Sequence, residues 1–168
     1  MRRRPVGQEA RAGGAGGPEL TLLNRQRGER VDLRWLKRFS ADALQRCLGH
    51  SADGGDSLRG FEEIVVTLVS DRRIAQIHGD FMGIPTATDV ITFQHGEIVV
   101  SAETARRSAV EFGHGFLEEL GLYVVHGFLH LNGYTDGERE ERERMHQVQD
   151  LIWRETLRGV GSLGPPAA

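Results

Sequence analysis

One segment, residues 117–131, constrains the fold more than any other, because it is apolar on two sides at helical spacing. Its first stripe consists of Leu117, Leu120, Val124, Phe128 and Leu131. A second side carries Leu122, Val125 and Leu129. A helix with so little polar surface is buried around most of its circumference. The sequence therefore predicts a helix at the centre of the core, and Gly133 is the residue expected to stop it.

Around this helix, β-rich runs are interspersed with helical periodicity. The β-rich runs, which predict strands, are 20–24, 62–69, 88–93 and 97–101. Apolar spacing predicts further helices at 34–48, 72–81, 102–112 and 138–158. Asp71 and Ser101 are the expected N-caps of the second and third of these helices. The last two strands are joined through His95 and Gly96 and predict a hairpin, so the expected class is α+β with a mixed sheet.

Composition divides the chain into one domain and two tails. Residues 1–18 are rich in Gly, Ala, Arg and Pro and predict a disordered tail, whereas 159–168 predict a flexible C-terminal tail. Residues 19–158 are left as a single domain. Cys47 is the one cysteine, so neither an internal disulfide nor a Cys-based zinc finger can form. No run approaches the roughly 20 apolar residues of a membrane helix, and a cytoplasmic protein without a membrane partner is expected.

Metal-binding chemistry is concentrated at the end of the central helix, in residues 125–136. His126 and His130 are four residues apart, so they project from one face of the helix, one turn apart. Gly133 can adopt the left-handed conformation that reverses the chain and returns Asp136 toward the imidazoles. Two imidazoles and one carboxylate predict a catalytic zinc site whose fourth position is open to water. The alternative is that both histidines are hydrogen-bonded core residues without a metal.

The spacing of these residues resembles the zincin metalloprotease pattern H-E-x-x-H-x-x-G-x-x-H. Two positions depart from that pattern. Gly127 stands where the proteases carry the glutamate that is their general base, so peptide hydrolysis by that mechanism is not expected. Asp136 stands at the third ligand position in place of histidine, and a carboxylate oxygen is also an accepted zinc ligand.

The glutamate-free form of the motif, HGFLHLNGYTD, resembles the YbeY family of bacterial rRNA-maturation endoribonucleases. The runs TDVITF at 88–93 and GEIVVS at 96–101 are similar to the strand pair that precedes the family's metal helix, so the resemblance extends over 62–158. It implies a zincin-like α+β fold with one zinc ion per chain on a central buried helix. It also implies cleavage of single-stranded RNA, with roles in 16S rRNA 3′-end processing and ribosome quality control.

The same resemblance indicates where RNA would bind. Thr88 and Asp89 begin the strand that would border the cleft, and both are candidate substrate-binding residues. The family often carries an arginine shortly before this strand, and Met82 stands at the matching position here. Arg72 and Arg73 are then the expected contacts to RNA phosphates. The net charge of −3 neither supports nor excludes a nucleic-acid partner.

The resemblance and the ligand set together imply metal-assisted phosphodiester hydrolysis, with a metal-bound water as the attacking group. The resemblance also implies a 16S rRNA precursor as the substrate and the small ribosomal subunit as the partner. No residue in the sequence identifies itself as the general base. Two alternatives stay open, because one fold and one ligand set serve several chemistries. They are a non-catalytic ribosome-assembly factor with a structural metal and a metal-dependent hydrolase of another substrate.

Overall fold

The computed structural model describes residues 16–55 and 57–161. The elements, in chain order, are β1 (Glu19–Asn24), α1 (Leu33–Leu48), a 3₁₀ turn (Leu58–Gly60), β2 (Glu63–Val69), α2 (Asp71–Met82), β3 (Val90–Phe93), β4 (Glu97–Ser101), α3 (Ala102–Phe112), α4 (Phe116–Leu131) and α5 (Arg139–Val160). The predicted α+β class is confirmed. Of the two predicted tails, all but residues 16–18 and 159–161 lie outside the described residues. No helix in the described ranges has the length and hydropathy that a bilayer crossing requires.

The four strands form one mixed sheet in the order β1-β2-β4-β3. Strands β1, β2 and β4 are parallel neighbours, whereas β3 pairs antiparallel with β4. The predicted hairpin is therefore confirmed, and its turn contains Gly96 with a φ of 103°. A side chain at Gly96 would also place its Cβ 3.0 Å from the carbonyl oxygen of Glu63. The hairpin puts β3 at an edge of the sheet, where its residues can border a cleft.

Alternate residues of the central strands face two different hydrophobic clusters, as the period of a strand requires. The larger cluster includes Ile64, Val66, Leu68, Ile98 and Val100 with residues of α1, α4 and α5. Val69 and Val99 face the other way and pack with Ile74 of α2. Helix α4 contacts α1, α3, α5 and the hairpin strands, so the prediction of a central buried helix is confirmed.

Helix α4 approaches the sheet closely because it presents a glycine to it. A Cβ at Gly127 would lie 2.7 Å from Cγ2 and 2.8 Å from Cδ1 of Ile98, well inside van der Waals contact. No larger residue fits there unless the side chain of Ile98 shifts or the helix moves away from β4. The neighbouring His126 is turned toward a cleft beside β3 instead, and 20% of its side chain is exposed.

The start of α2 differs from the prediction. Ser70, not Asp71, is the N-cap, and its hydroxyl accepts a hydrogen bond from a first-turn amide. The carboxylate of Asp71 instead accepts hydrogen bonds from Ser101 Oγ at 2.6 Å, Thr104 Oγ1 at 2.7 Å and Arg107 Nη1 at 2.7 Å. Burial favours the neutral acid, but these three bonds outweigh it and lower the pKa of Asp71. Asp71 therefore fastens α2 to α3, whose predicted cap Ser101 is confirmed.

Candidate metal centre

The end of α4 brings together the three side chains that the spacing predicted. The helix ends at Leu131, and Gly133 takes a φ of 95°, which a glycine adopts without strain. The amide of Tyr134 then donates to the carbonyl of Leu129 at 3.0 Å, which closes the reversal. Asp136 follows two residues later and faces the histidines.

Three ligand atoms meet at this point. His126 Nε2 and His130 Nε2 are 3.0 Å apart, and Asp136 Oδ2 lies 3.8 Å from the first and 3.6 Å from the second. Ligand atoms at zinc–nitrogen and zinc–oxygen bond lengths in a tetrahedron are about 3.3 Å from one another. The predicted convergence of these side chains is confirmed, and the group can hold one metal ion.

The hydrogen bonds of the two Nδ1 atoms indicate the protonation state of the two Nε2 atoms. His126 Nδ1 lies 2.7 Å from Oε1 of Gln149, and His130 Nδ1 lies 3.0 Å from the carbonyl oxygen of Tyr134. Both partners are acceptors, so each Nδ1 carries the proton and each neutral ring has a lone pair on Nε2. Two such lone pairs 3.0 Å apart repel one another unless a cation lies between them. The cation is a proton on one ring or a metal ion.

Burial favours the metal ion over the proton. Removal of His126 from water disfavours the imidazolium and lowers its pKa, and the hydrogen bond with Gln149 does not compensate. A neutral imidazole is the form that binds metals. Asp136 adds a negative charge beside the two Nε2 atoms, and 46% of its side chain is exposed. The donor set of two imidazoles and one carboxylate therefore fits a divalent metal ion, zinc among them.

The three ligands open onto a cleft of about 490 Å³ between β3, the C-terminal halves of α2 and α4 and the N-terminal half of α5. It is lined by Met82, Thr88, Asp89, Val90, Ile91, Thr92, Gln94, His126, His130, Asp136 and His146. Thr88 and Asp89, predicted from the sequence, thus lie in the same cleft as the metal ligands. Arg72 and Arg73 are not among its lining residues. They lie in the first turn of α2 whereas Met82 ends it, so about 14 Å of helix separates Arg73 from Met82 at the cleft.

Comparison with known proteins bears on what this cleft does. The family model described as Endoribonuclease YbeY matches residues 22–156. The chain belongs to the YbeY family. A relative named Endoribonuclease YbeY from Bacillus velezensis is 37% identical, and the alignment covers 67% of this chain and 86% of the relative. The protein of the same name from Geobacillus kaustophilus is also 37% identical, with 67% and 85% covered.

A solved structure from Thermotoga maritima has the same fold as this YbeY-family chain. The two superpose with a TM-score of 0.56 over 89% of this chain and 99% of the other, at 24% sequence identity. At that identity the likeness concerns the fold alone. It confirms the architecture expected from the family resemblance.

Two buried polar residues, one beside His126 and one at the end of α4, were not predicted from the sequence. Gln149 on α5 is 9% exposed and orients His126. Asn132 is 2% exposed, and its Nδ2 donates to the carbonyls of Cys47 at 2.7 Å and His50 at 2.8 Å. Its Oδ1 accepts from the amide of Leu58 at 3.2 Å. The available signal was a polar residue inside an apolar pattern, which indicates a hydrogen-bonded core position.

Asp89 is the carboxylate of the YbeY-family cleft that lies outside the ligand group. Its Oδ1 accepts from the amide of Val90 at 2.8 Å and from Thr88 Oγ1 at 3.1 Å, which fixes its orientation. Its negative charge favours the protonated form of His126, so the two groups interact electrostatically across the cleft. His146 also lines the cleft, although its place in the polar sequence of α5 indicates a surface residue.

Proposed function

We propose that this chain is a zinc-dependent endoribonuclease that cleaves single-stranded RNA. The observation that carries the proposal is the convergence of His126, His130 and Asp136 at the wall of an open cleft, in a chain whose relatives are named endoribonucleases. One zinc ion per chain is the expected complement. A bound zinc ion would supply Lewis acidity, both to activate a water molecule and to stabilise charge on phosphoryl oxygens.

Other residues of the chain orient the imidazoles and can transfer a proton. Gln149 and the carbonyl of Tyr134 keep the two imidazoles in the tautomer whose Nε2 atoms face the cleft. Asp89 presents a fixed carboxylate to the same space and can accept a proton there. Gly127 is buried against Ile98, so the helical position next to His126 cannot supply a base. Asp89 is therefore the carboxylate we assign as the proton acceptor.

The form of the cleft favours a single strand over a duplex. Its wall is formed by edge strand β3 and the segment that precedes it, and Thr88, Asp89 and Gln94 offer polar contacts along that wall. A single strand can place one phosphodiester at the ligands while its bases turn outward. Arg72 and Arg73 can then contact phosphates several nucleotides from that bond, across the length of α2.

The biological substrate we propose is the 3′ end of a 16S rRNA precursor, in rRNA maturation and ribosome quality control, with the small ribosomal subunit as partner. The similarity to the YbeY family supports this assignment. A non-catalytic assembly factor would use the same ligands only to order the end of α4. Cleavage of RNA therefore separates the two roles.

The test is a cleavage assay with a 16S precursor fragment in single-stranded and duplex form. Protein loaded with zinc should cut the single strand, lose the activity on chelation and recover it when zinc is restored. The duplex should be cut much more slowly. RNA that stays intact with fully loaded protein would contradict the proposal and favour the assembly-factor role.

A further inference from the structure

Three large apolar side chains are exposed close together at the C-terminal end of α2. Phe81 is 69% exposed, Met82 52% and Ile84 49%. Single exposed apolar residues are common on protein surfaces, but a group of them within four residues indicates a contact site. Gly83, with a φ of 70°, caps the helix between them and fixes the position of the group.

The group continues into a row of aromatic rings. The ring centroids of Phe81 and Phe93 are 5.1 Å apart in an edge-to-face arrangement, and Phe93 stacks on His95 at 5.6 Å with an angle of 26°. Phe93 itself packs against the cluster beneath α2. His95 is oriented by Glu97, whose Oε2 lies 3.2 Å from its Nε2. The aromatic row consists of Phe81, Phe93 and His95. Phe93 anchors it to the core, and the contact with Glu97 orients His95.

This aromatic row starts where the metal cleft ends. Met82 belongs to the exposed group and also lines the cleft. Thr92 and Gln94, the neighbours of Phe93 along the chain, line the cleft as well. Successive side chains of a strand point to opposite faces, so Phe93 lies across edge strand β3 from the cleft. A strand of RNA that leaves the metal ligands therefore reaches the row by crossing this edge beside Met82.

We propose that Phe81, Phe93 and His95 form a stacking platform for one or two unpaired bases of the RNA whose backbone lies in the cleft. The inference rests on the proposed function and names the feature of the substrate that this surface recognises. Every base has a flat π-face that stacks on aromatic rings regardless of sequence. Such faces are accessible in a single strand and hidden within a duplex. The platform would therefore contribute to selection for single strands.

The test compares two variants that each remove one exposed phenylalanine. Phe81→Ala removes the end of the platform, and Phe112→Ala removes a ring on α3 that is 64% exposed and does not line the cleft. Both are made in the zinc-loaded protein. Affinity is measured by fluorescence anisotropy for a short single-stranded RNA, with a gel to verify that it is intact, and for an abasic oligomer of equal length.

Phe81→Ala should weaken binding of the ordinary RNA by roughly 5- to 30-fold and leave binding of the abasic oligomer unchanged. Phe112→Ala should match the wild type on both.

Equal affinity of Phe81→Ala and wild type for RNA that the wild type binds and cleaves would overturn the platform while the proposed function stands. An equal loss on the abasic oligomer would also overturn it. The platform would also be overturned if reduced self-association were the only change in Phe81→Ala, because this surface would then contact a second copy of the chain. A wild type that neither binds nor cleaves RNA would refute both proposals.

Discussion

The Nε2 atoms of His126 and His130 face each other at 3.0 Å, while the Nδ1 atom of each ring is hydrogen-bonded to an oxygen outside the pair. The protein thus holds two lone pairs in a position that is unfavourable without a cation. One of the two outer oxygens is a backbone carbonyl, and the other belongs to the side chain of Gln149. The hydrogen bond that orients His126 can therefore be tested by mutation of Gln149.

Gln149→Ala should lower zinc affinity by about 10- to 100-fold, because His126 loses the acceptor that fixes its tautomer and orientation. Gln149→Glu, which keeps an acceptor oxygen, should retain most of the affinity. Gln147→Ala, at an exposed position of the same helix, is the matched control. Competition titration with a chromophoric chelator measures all three variants. Wild-type affinity in Gln149→Ala would show that this hydrogen bond does not position the ligand.

Asn132→Ala should reduce the free energy of unfolding by about 2–4 kcal/mol, because the carbonyls of Cys47 and His50 each lose a donor and the amide of Leu58 loses its acceptor. Urea denaturation followed by circular dichroism gives the value. Asn132→Asp keeps the acceptor for the amide but not the donor for the carbonyls, so it should also destabilise the protein. A loss below about 0.5 kcal/mol in the alanine variant would mean that these bonds contribute little net stability.

Much of this site could be predicted from the sequence, because its determinants are local. His126 and His130 share a helix face by spacing alone, and Gly133 supplies the turn that returns Asp136. Gln149 could not be paired with His126 in the same way, since it lies on another helix and the pairing depends on how α4 and α5 pack.

The strands and helices were predictable for a similar reason, since hydrophobic periodicity is a local signal. The cap of α2 was not, because Ser70 and Asp71 both suit an N-cap by residue type. The contacts of Asp71 with α3 decided between them, and they are tertiary. The edge-to-face contact of Phe81 with Phe93 likewise depends on the packing of α2 against the sheet.

Gly127→Ala should destabilise the fold by about 1–3 kcal/mol, although alanine is the better helix former. The added methyl group would lie 2.7 Å from Cγ2 of Ile98, so either this buried side chain or α4 itself must shift. Gly60→Ala is the control, because a methyl group at that position would extend into open space, with no contact within 4 Å beyond its chain neighbours. Thermal unfolding of both variants measures the difference. A Gly127→Ala protein as stable as the wild type would mean that the helix and sheet can separate freely at this point.

Asp71→Asn should cost about 1 kcal/mol of stability at neutral pH, because Arg107 and two hydroxyls lose a charged acceptor. The pKa of Asp71 is lowered in the folded protein, so the carboxylate stabilises the fold above the pKa of the unfolded chain. This contribution begins to decrease as the pH falls below about 4 and is lost once the pH is below the lower pKa of the folded protein. Urea midpoints of wild type and variant should therefore converge at acidic pH. A difference that is constant from pH 7 to pH 3 would contradict the assigned contacts.

The central claim is that His126, His130 and Asp136 hold the ion that cleaves RNA. The most direct measurement follows zinc content, RNA affinity and cleavage rate in parallel for wild type, His126→Ala and Asp136→His. We predict that His126→Ala loses zinc and at least about 1,000-fold in cleavage rate, yet binds RNA within about 3-fold of wild type. Asp136→His should keep its zinc, because either residue can be the third ligand. A His126→Ala protein that lacks zinc and still cleaves at the wild-type rate would contradict the account.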